Sequence, residues 1–144
     1  MRTYLDYNST VPLRSEAKQA MIEAMNYVGN PSSIHFEGRA AKNLVENARV
    51  KIAEAIGAVG AEIVFTSGAT ESAALALSGR NIICSRIEHD AVSSWCTAKL
   101  STDKSGMVDI DKPEYSALQV ANSETGIIQK NVKGIWLSDM TQAF

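Results

Sequence analysis

Short apolar runs that alternate with segments of helical spacing constrain this chain more than any other feature. Four runs stand out: Glu62–Thr66 (EIVFT), Asn81–Ser85 (NIICS), Ala117–Ala121 (ALQVA) and Ile135–Ser138 (IWLS). A strand buried on both faces reads as a near-continuous apolar run, and helical crossovers between such strands imply a parallel sheet. Apolar positions Ala17, Ala20, Met21, Ala24, Met25 and Val28 predict a first helix, with Ser15 as its N-cap and Gly29 as its stop. The stretch Asn30-Pro31-Ser32-Ser33 then reads as a turn. Ala41, Val45, Ala48, Ile52 and Ala55 predict a second helix from near Glu37 to Ile56, stopped by Gly57. Shorter helices are expected from about Glu71 to Leu77 and from His89 to Lys99, and the polar segment Ser101–Tyr115 reads as turns. The expected fold class is α/β, a mostly parallel sheet covered by helices. It is expected to be incomplete at its C-terminal end, because the chain stops at Phe144, just past the last run.

Composition narrows the partners. Hydrophobic residues make up 45% of the 144 and charged residues 21%, enough to bury a core. A formal net charge of −2 with no run of basic residues argues against nucleic acid and against an anionic membrane surface. No apolar run approaches the ~20 residues that span a bilayer. Asp6 interrupts the segment that a secretory leader would keep apolar, so a cytoplasmic chain is expected. Cys84 and Cys96 have neither CxxC spacing nor a nearby histidine to complete a zinc set, so no metal site is expected and the thiols should stay reduced.

Ligands of open α/β sheets bind beyond the carboxyl ends of the strands, and three polar clusters fall there. Thr66-Ser67-Gly68-Ala69-Thr70-Glu71 joins a strand candidate to a helix start, where free N–H groups and hydroxyls would cradle a phosphate. It reads equally as an ordinary helix start capped by Thr70 or Ser67. Glu88-His89-Asp90 sets a flat ring at a helix N-terminus, to stack on a planar ligand or simply to cap the helix. Asp139-Met140-Thr141-Gln142 places a carboxylate after four mostly apolar residues, where burial without a cation would cost several kcal/mol. Otherwise Asp139 is an N-cap. A phosphate cradle, a ring platform and a carboxylate wanting a cation match pyridoxal 5′-phosphate, whose ring is an electron sink when its nitrogen is protonated. A carboxylate–pyridinium pair at ~4 Å is worth roughly 4 kcal/mol before desolvation at an effective dielectric near 20.

Four segments carry a resemblance to a known family. They are Tyr4–Thr10 (YLDYNST), Gly29–His35 (GNPSSIH), Ile63–Glu71 (IVFTSGATE), and Glu88-His89 with Asn122–Gly126 (NSETG) and Asp139–Gln142 (DMTQ). In that order they resemble the N-terminal half of the cysteine desulfurases, members of the class V aminotransferases and of the fold-type I pyridoxal phosphate enzymes. The resemblance implies that Ala69 and Thr70 bind the cofactor phosphate, and that His89 stacks on the ring and moves protons in catalysis. It implies further that Asp139 pairs with the ring nitrogen and Gln142 hydrogen-bonds the phenolic oxygen. Asn30 and Asn122 are the implied substrate-binding residues. Ser123 stands where the family has a second asparagine that touches the cofactor, and a lost hydrogen bond there would cost ~0.5–1.5 kcal/mol. Val11 replaces a threonine of the family's first segment, and the connections Leu77–Asn81 and Gln129–Ile135 are short for it.

The resemblance also divides the chain by role, with residues 1–35 as arm, helix and active-site loop and residues 36–144 as part of the cofactor-binding large domain. The family's Ser-x-His-Lys motif, whose lysine holds the cofactor covalently, and its sulfur-accepting loop cysteine do not occur before Phe144. The expected partners are therefore a complementary chain bearing that lysine and cysteine, a second copy of the completed enzyme, L-cysteine, and a sulfur acceptor or scaffold protein. Alone the chain is expected to be inactive. Other readings are a module that holds pyridoxal phosphate or another phosphate without covalent chemistry, a catalytically idle partner of a full desulfurase, or half of a selenocysteine lyase or aminotransferase.

Overall fold

The computed structural model describes residues 2–130 and 132–143. They divide into two compact units, one ending at Val64 and the other beginning at Phe65.

The first unit carries two helices, α1 (Ser15–Ala24) and α2 (Phe36–Ala55). Ser15 is the first helical residue of α1 rather than its cap; Arg14 holds the N-cap position and no side chain caps it. The helix also ends earlier than its apolar spacing suggests. No residue of α1 is buried and Val28 is 83% exposed, so another turn would have gained nothing by burial. Gly29 has a different task from stopping α1, since a Cβ there would overlap the Glu37 carbonyl at the start of α2. Gly38 is equally constrained, with the Ser33 and Asn30 carbonyl oxygens where its Cβ would go. Two glycines thus let the 29–35 turn lie on the first turn of α2, which His35 caps by accepting from Gly38 N–H at 3.4 Å. The far end of α2 follows expectation. Gly57 at φ 68° donates to Glu54 O, and Ala58 N–H to Ala53 O, which satisfies the last carbonyls.

The second unit runs α3 (Ala69–Leu77), β1 (Ile83–Ser85), α4 (Asp90–Ser93), β2 (Ala98–Leu100), a 3-10 turn (Pro113–Tyr115), β3 (Ser116–Gln119) and β4 (Leu137–Asp139). The strands form one parallel sheet in the order β2-β1-β3-β4. Ala73 and Leu77 of α3 pack with Ile82, Cys84, Val92 and Ala117 as its core. All four residues of β3 are buried, as befits a central strand covered on both faces.

Two expectations fail here. Glu62–Thr66 forms no strand: it has no ladder partner among the described residues, and Val64 and Phe65 stay 65% and 48% exposed. The helix expected over His89–Lys99 stops at Ser93. Thr97 donates to the Ile82 carbonyl from both its backbone N–H, at 2.8 Å, and its hydroxyl, at 3.2 Å, and so starts β2 alongside β1. Smaller shifts put β3 one residue earlier than its apolar run and β4 two residues later. Within Ser101–Tyr115 the turn around Asp103 brings Thr102 and Val108 into an isolated antiparallel bridge.

Candidate functional site

Parallel strands end on a common edge, so Ser85, Gln119 and Asp139, the last residues of β1, β3 and β4, face the same end of the unit. The register pairs Gln119 with Asp139, and Val120 N–H donates to Asp139 O at 2.9 Å. The helix starts meet at this edge too: Thr70 and His89 line one open depression of about 600 Å³ with Asp90, Ala91, Ser94 and Trp95.

The start of α3 is arranged to keep its N-terminus clear. Gly68 occupies the N-cap position and no side chain caps the helix, so neither Thr70 nor Ser67 has that role. Glu71 reaches back instead and accepts from Ser67 N–H at 2.6 Å, a bond that holds its carboxyl below the usual range. Thr66 donates to Gly68 O at 3.1 Å and shares a hydrogen bond with Ser72 at 2.7 Å. Ala69 and Thr70 therefore stand in a first turn whose N–H groups have no acceptor inside the helix. That is the geometry an anion needs.

His89 caps α4, its Nδ1 accepting from Ala91 N–H at 3.1 Å. An acceptor Nδ1 leaves Nε2 as the protonated nitrogen of the neutral ring. The ring is thereby fixed at the rim of the depression with an N–H on its far side.

Behind His89 lies a buried polar network that the sequence had only hinted at. Glu88 is 6% exposed; its Oε1 accepts from Ser85 Oγ at 3.1 Å, while Oε2 has no hydrogen-bond partner. Burial is the main cause that pushes this carboxyl up to about 7, against the pull of the Gln119 backbone and the Ser85 hydroxyl, and the charges of Cys84 and Asp139 push it the same way as burial. Asn122, 3% exposed, ties the loop after β3 to the turn carrying Glu88: its Nδ2 donates to Ile87 O at 2.7 Å and to Gln119 Oε1 at 3.1 Å. Its Oδ1 accepts from Glu124 N–H, Thr125 N–H and the Thr125 hydroxyl. Both ends of the amide are thus engaged within the loop. Ser123 donates its N–H to Gln119 Oε1 at 3.2 Å and holds its hydroxyl 3.4 Å from the same side chain.

Asp139 is half-buried, and its Oδ1 accepts from Thr141 N–H at 3.0 Å and from the Thr141 hydroxyl at 2.6 Å. Gln142 follows in the turn beyond β4. Asn30 belongs to the other unit, where its Oδ1 accepts from Ser32 N–H at 2.9 Å and stiffens the turn before α2. The second unit therefore gathers Ala69, Thr70, His89, Asn122, Ser123, Asp139 and Gln142 onto one edge or the loops leaving it.

Sequence reasoning assigned no role to Glu88, Gln119 or Trp95. The available signals were a carboxyl next to the singled-out histidine and a lone amide inside the apolar run ALQVA. Glu88 Oε2 is a buried oxygen with no hydrogen-bond partner, and the charge of Asp139 acts on the same carboxyl. A planar ligand that brings a protonated ring nitrogen at one end and a phosphate at the other fits these residues.

The model of the family described as aminotransferase class V matches residues 3–140. A cysteine desulfurase IscS of Dictyoglomus turgidum is 40% identical, over 88% of this chain and 39% of its own length. A selenocysteine lyase of Rattus norvegicus is 49% identical over 72 residues, 49% of this chain and 17% of that protein. Among solved structures, a NifS-like protein from Rickettsia africae superposes with a TM-score of 0.75 at 30% identity, covering 88% of this chain and 41% of that one. The chain thus spans about two fifths of the desulfurase and of the NifS-like structure.

Proposed function

The chain belongs to the class V aminotransferases, and from that footing we propose that it supplies part of the cofactor site of a pyridoxal phosphate-dependent cysteine desulfurase. The completed enzyme would release alanine from L-cysteine and pass the sulfur to an acceptor or scaffold protein, for iron–sulfur cluster or other sulfur-cofactor assembly. The observation that carries this reading is that Thr70 and His89 share one depression while Asp139 ends the strand beside Gln119 on the same sheet edge.

In this reading the first turn of α3, with Ala69 and the Thr70 hydroxyl, holds the phosphate. His89 stacks on the ring and uses its Nε2 to move a proton at the substrate carbon. Asp139, steadied by Thr141, keeps the ring nitrogen protonated, and Gln142 donates to the phenolic oxygen. Ser123, shorter than an asparagine, lends a hydroxyl from the loop after β3. Asn30 and Asn122 serve the substrate, Asn122 by setting the shape of its loop. The bound cofactor would contribute an electron sink for the carbanion formed at the substrate. Residues 1–35 act as the arm and active-site loop, and residues 36–144 as part of the large domain. The lysine that holds the cofactor covalently and the cysteine that accepts sulfur come from outside these residues. The working form is a cytoplasmic homodimer of the completed enzyme. Among the described residues no helix is long and apolar enough to cross a membrane.

The test is an assay of the chain together with a polypeptide bearing the lysine and cysteine, offered L-cysteine and L-selenocysteine in parallel. With an added dithiol to reduce the transferred sulfur, alanine and sulfide from L-cysteine, absent with either component alone, are the expected products. Turnover confined to L-selenocysteine would shift the assignment to a selenocysteine lyase, the reading favoured by the rat relative. Cofactor binding without turnover of either substrate would leave a non-covalent binding module.

A further inference from the structure

After β3 the chain doubles back on itself. Gln129 N–H donates to Val120 O at 2.8 Å, Asn122 N–H donates to Ile127 O at 3.0 Å, and Ala121 and Ile128 form an antiparallel bridge between them. Residues 120–129 therefore make a short hairpin with Ser123–Gly126 at its tip. The outgoing arm is fixed to the sheet, because Val120 N–H donates to Asp139 O at 2.9 Å. The returning arm is fastened to a different segment, residues 106–108, by the side chain of Gln129. This side chain, only 5% exposed, accepts from Val108 N–H through Oε1 at 2.9 Å and donates through Nε2 to Gly106 O at 2.9 Å. Ile127 lies against Gly106, where a Cβ would overlap its Cδ1. The 106–108 segment is itself held, since Asp103 Oδ1 accepts from Ser105 N–H at 2.8 Å and from Met107 N–H at 3.0 Å. The carboxamide thus satisfies one N–H and one carbonyl of a single backbone segment, as a neighbouring strand would, and so selects one register. Hydrophobic contact is non-directional and would hold the arm down without setting its register.

We infer that Gln129 is a positioning residue of the cofactor site: by locking the returning arm to residues 106–108 it sets where Asn122 and Ser123 stand against Asp139. The inference rests on the cofactor reading of this edge proposed above. Its effect runs through the hairpin tip. Asn122 Oδ1 gathers the Glu124 and Thr125 N–H groups, and its Nδ2 holds Ile87 O at 2.7 Å, so a slipped hairpin also disturbs the turn before His89. The phosphate cradle lies outside this path, because Thr66, Glu71 and Ser72 shape the first turn of α3. Loss of the Gln129 bonds therefore acts on the ring end of the cofactor and spares the phosphate end.

The test is equilibrium dialysis of the full chain against pyridoxal phosphate, with inorganic phosphate as competitor, run beside amide hydrogen exchange. Gln129→Met keeps the side-chain length and removes both hydrogen bonds. It should weaken pyridoxal phosphate binding by about two- to tenfold, the range of one hydrogen bond. The inhibition constant of inorganic phosphate should stay unchanged, and exchange should quicken at Glu124 and Thr125 but not in α3. Ile127→Ala, which trims the contact with Gly106 and keeps Gln129, should move the same readings in the same direction to a smaller extent. That variant decides the matter if Gln129→Met does not fold. Wild-type affinity for pyridoxal phosphate in the folded variants, or parallel losses for pyridoxal phosphate and inorganic phosphate, would overturn the inference. If the wild-type chain itself takes up no pyridoxal phosphate, the cofactor reading fails instead. Exchange at Glu124 and Thr125 then decides alone: quickened in Gln129→Met, it upholds the fastening of the hairpin, and unchanged, it rejects it.

Discussion

At the scale of single residues, Glu88 shows how burial rather than sequence decides a side chain's chemistry. Nothing in its letter distinguishes it from the exposed Glu71, yet one carboxyl is pushed up to about 7 and the other held low. The difference has a direct consequence for stability. The folded chain holds the Glu88 proton up to about pH 7, while the unfolded chain releases it near the ordinary carboxyl value of 4.5. Between those two values the folded state binds more protons, so stability falls as pH rises through the window and levels off above it. The fall should be of order 3 kcal/mol, the shift converted at 1.36 kcal/mol per unit. Urea unfolding at pH 5 and pH 8 measures it, and Glu88→Gln should flatten the difference. A pH 5 to pH 8 difference unchanged by Glu88→Gln would mean that the carboxyl is ionised in the folded chain. His89 and Asp139 were singled out in advance as titratable groups after apolar runs, each with helix capping as the alternative, and His89 does cap α4. Asn122 was singled out only through the resemblance, and its service to the loop was not legible, since its partners Ile87 and Gln119 come from other segments.

Elements were legible where their stabilisation is local and lost where it depends on a neighbour. The α2 helix was read nearly to the residue, because its apolar spacing and the Gly57 at its end lie in its own stretch of sequence. The β2 strand was read as helix. Three residues, AKL, carry almost no pattern, and the strand exists because Thr97 and Lys99 reach partners in β1's segment. The Glu62–Thr66 run failed the other way, having the composition of a strand and no ladder to join among the described residues. Glycines were recognised as stops, but close approach is a three-dimensional property, and Gly38 is the case that can be tested. Inside a helix, glycine to alanine ordinarily gains ~1 kcal/mol. Here the new Cβ would meet the Ser33 backbone oxygen and lie 2.8 Å from Asn30 O. Backbone atoms cannot swing aside as a side chain can, and overpacking of this kind costs ~1–3 kcal/mol. Gly38→Ala should therefore destabilise the first unit and speed hydrogen exchange at the Ser33 amide, which bonds Asn30 O at 2.9 Å. A more stable variant with unchanged exchange would show that the turn does not need that close approach.

For the whole molecule, the sequence clusters announced a phosphate cradle, a ring platform and a carboxylate, and a parallel sheet gathers them because its strand ends share one edge. Their order along the chain was visible in the sequence. Their convergence followed only from the parallel register, and the unpartnered buried oxygen of Glu88 only from burial. The central claim is that this edge holds pyridoxal phosphate through Thr70 at one end and Asp139 at the other. Trp95 lines the same depression and reports on its contents. The other tryptophan, Trp136, packs under Arg80 in a separate pocket with Glu114 and Tyr115, and Trp136→Phe leaves Trp95 as the only indole. Titrating that chain with pyridoxal phosphate should quench Trp95 fluorescence saturably. Adding Thr70→Ala should weaken the apparent affinity by about one to two decades, the ~1.5–3 kcal/mol of a hydrogen bond to a charged group, and Asp139→Ala should weaken it as well. Quenching that never saturates, or that saturates at the same concentration in all three chains, would contradict the assignment of this edge as the cofactor site.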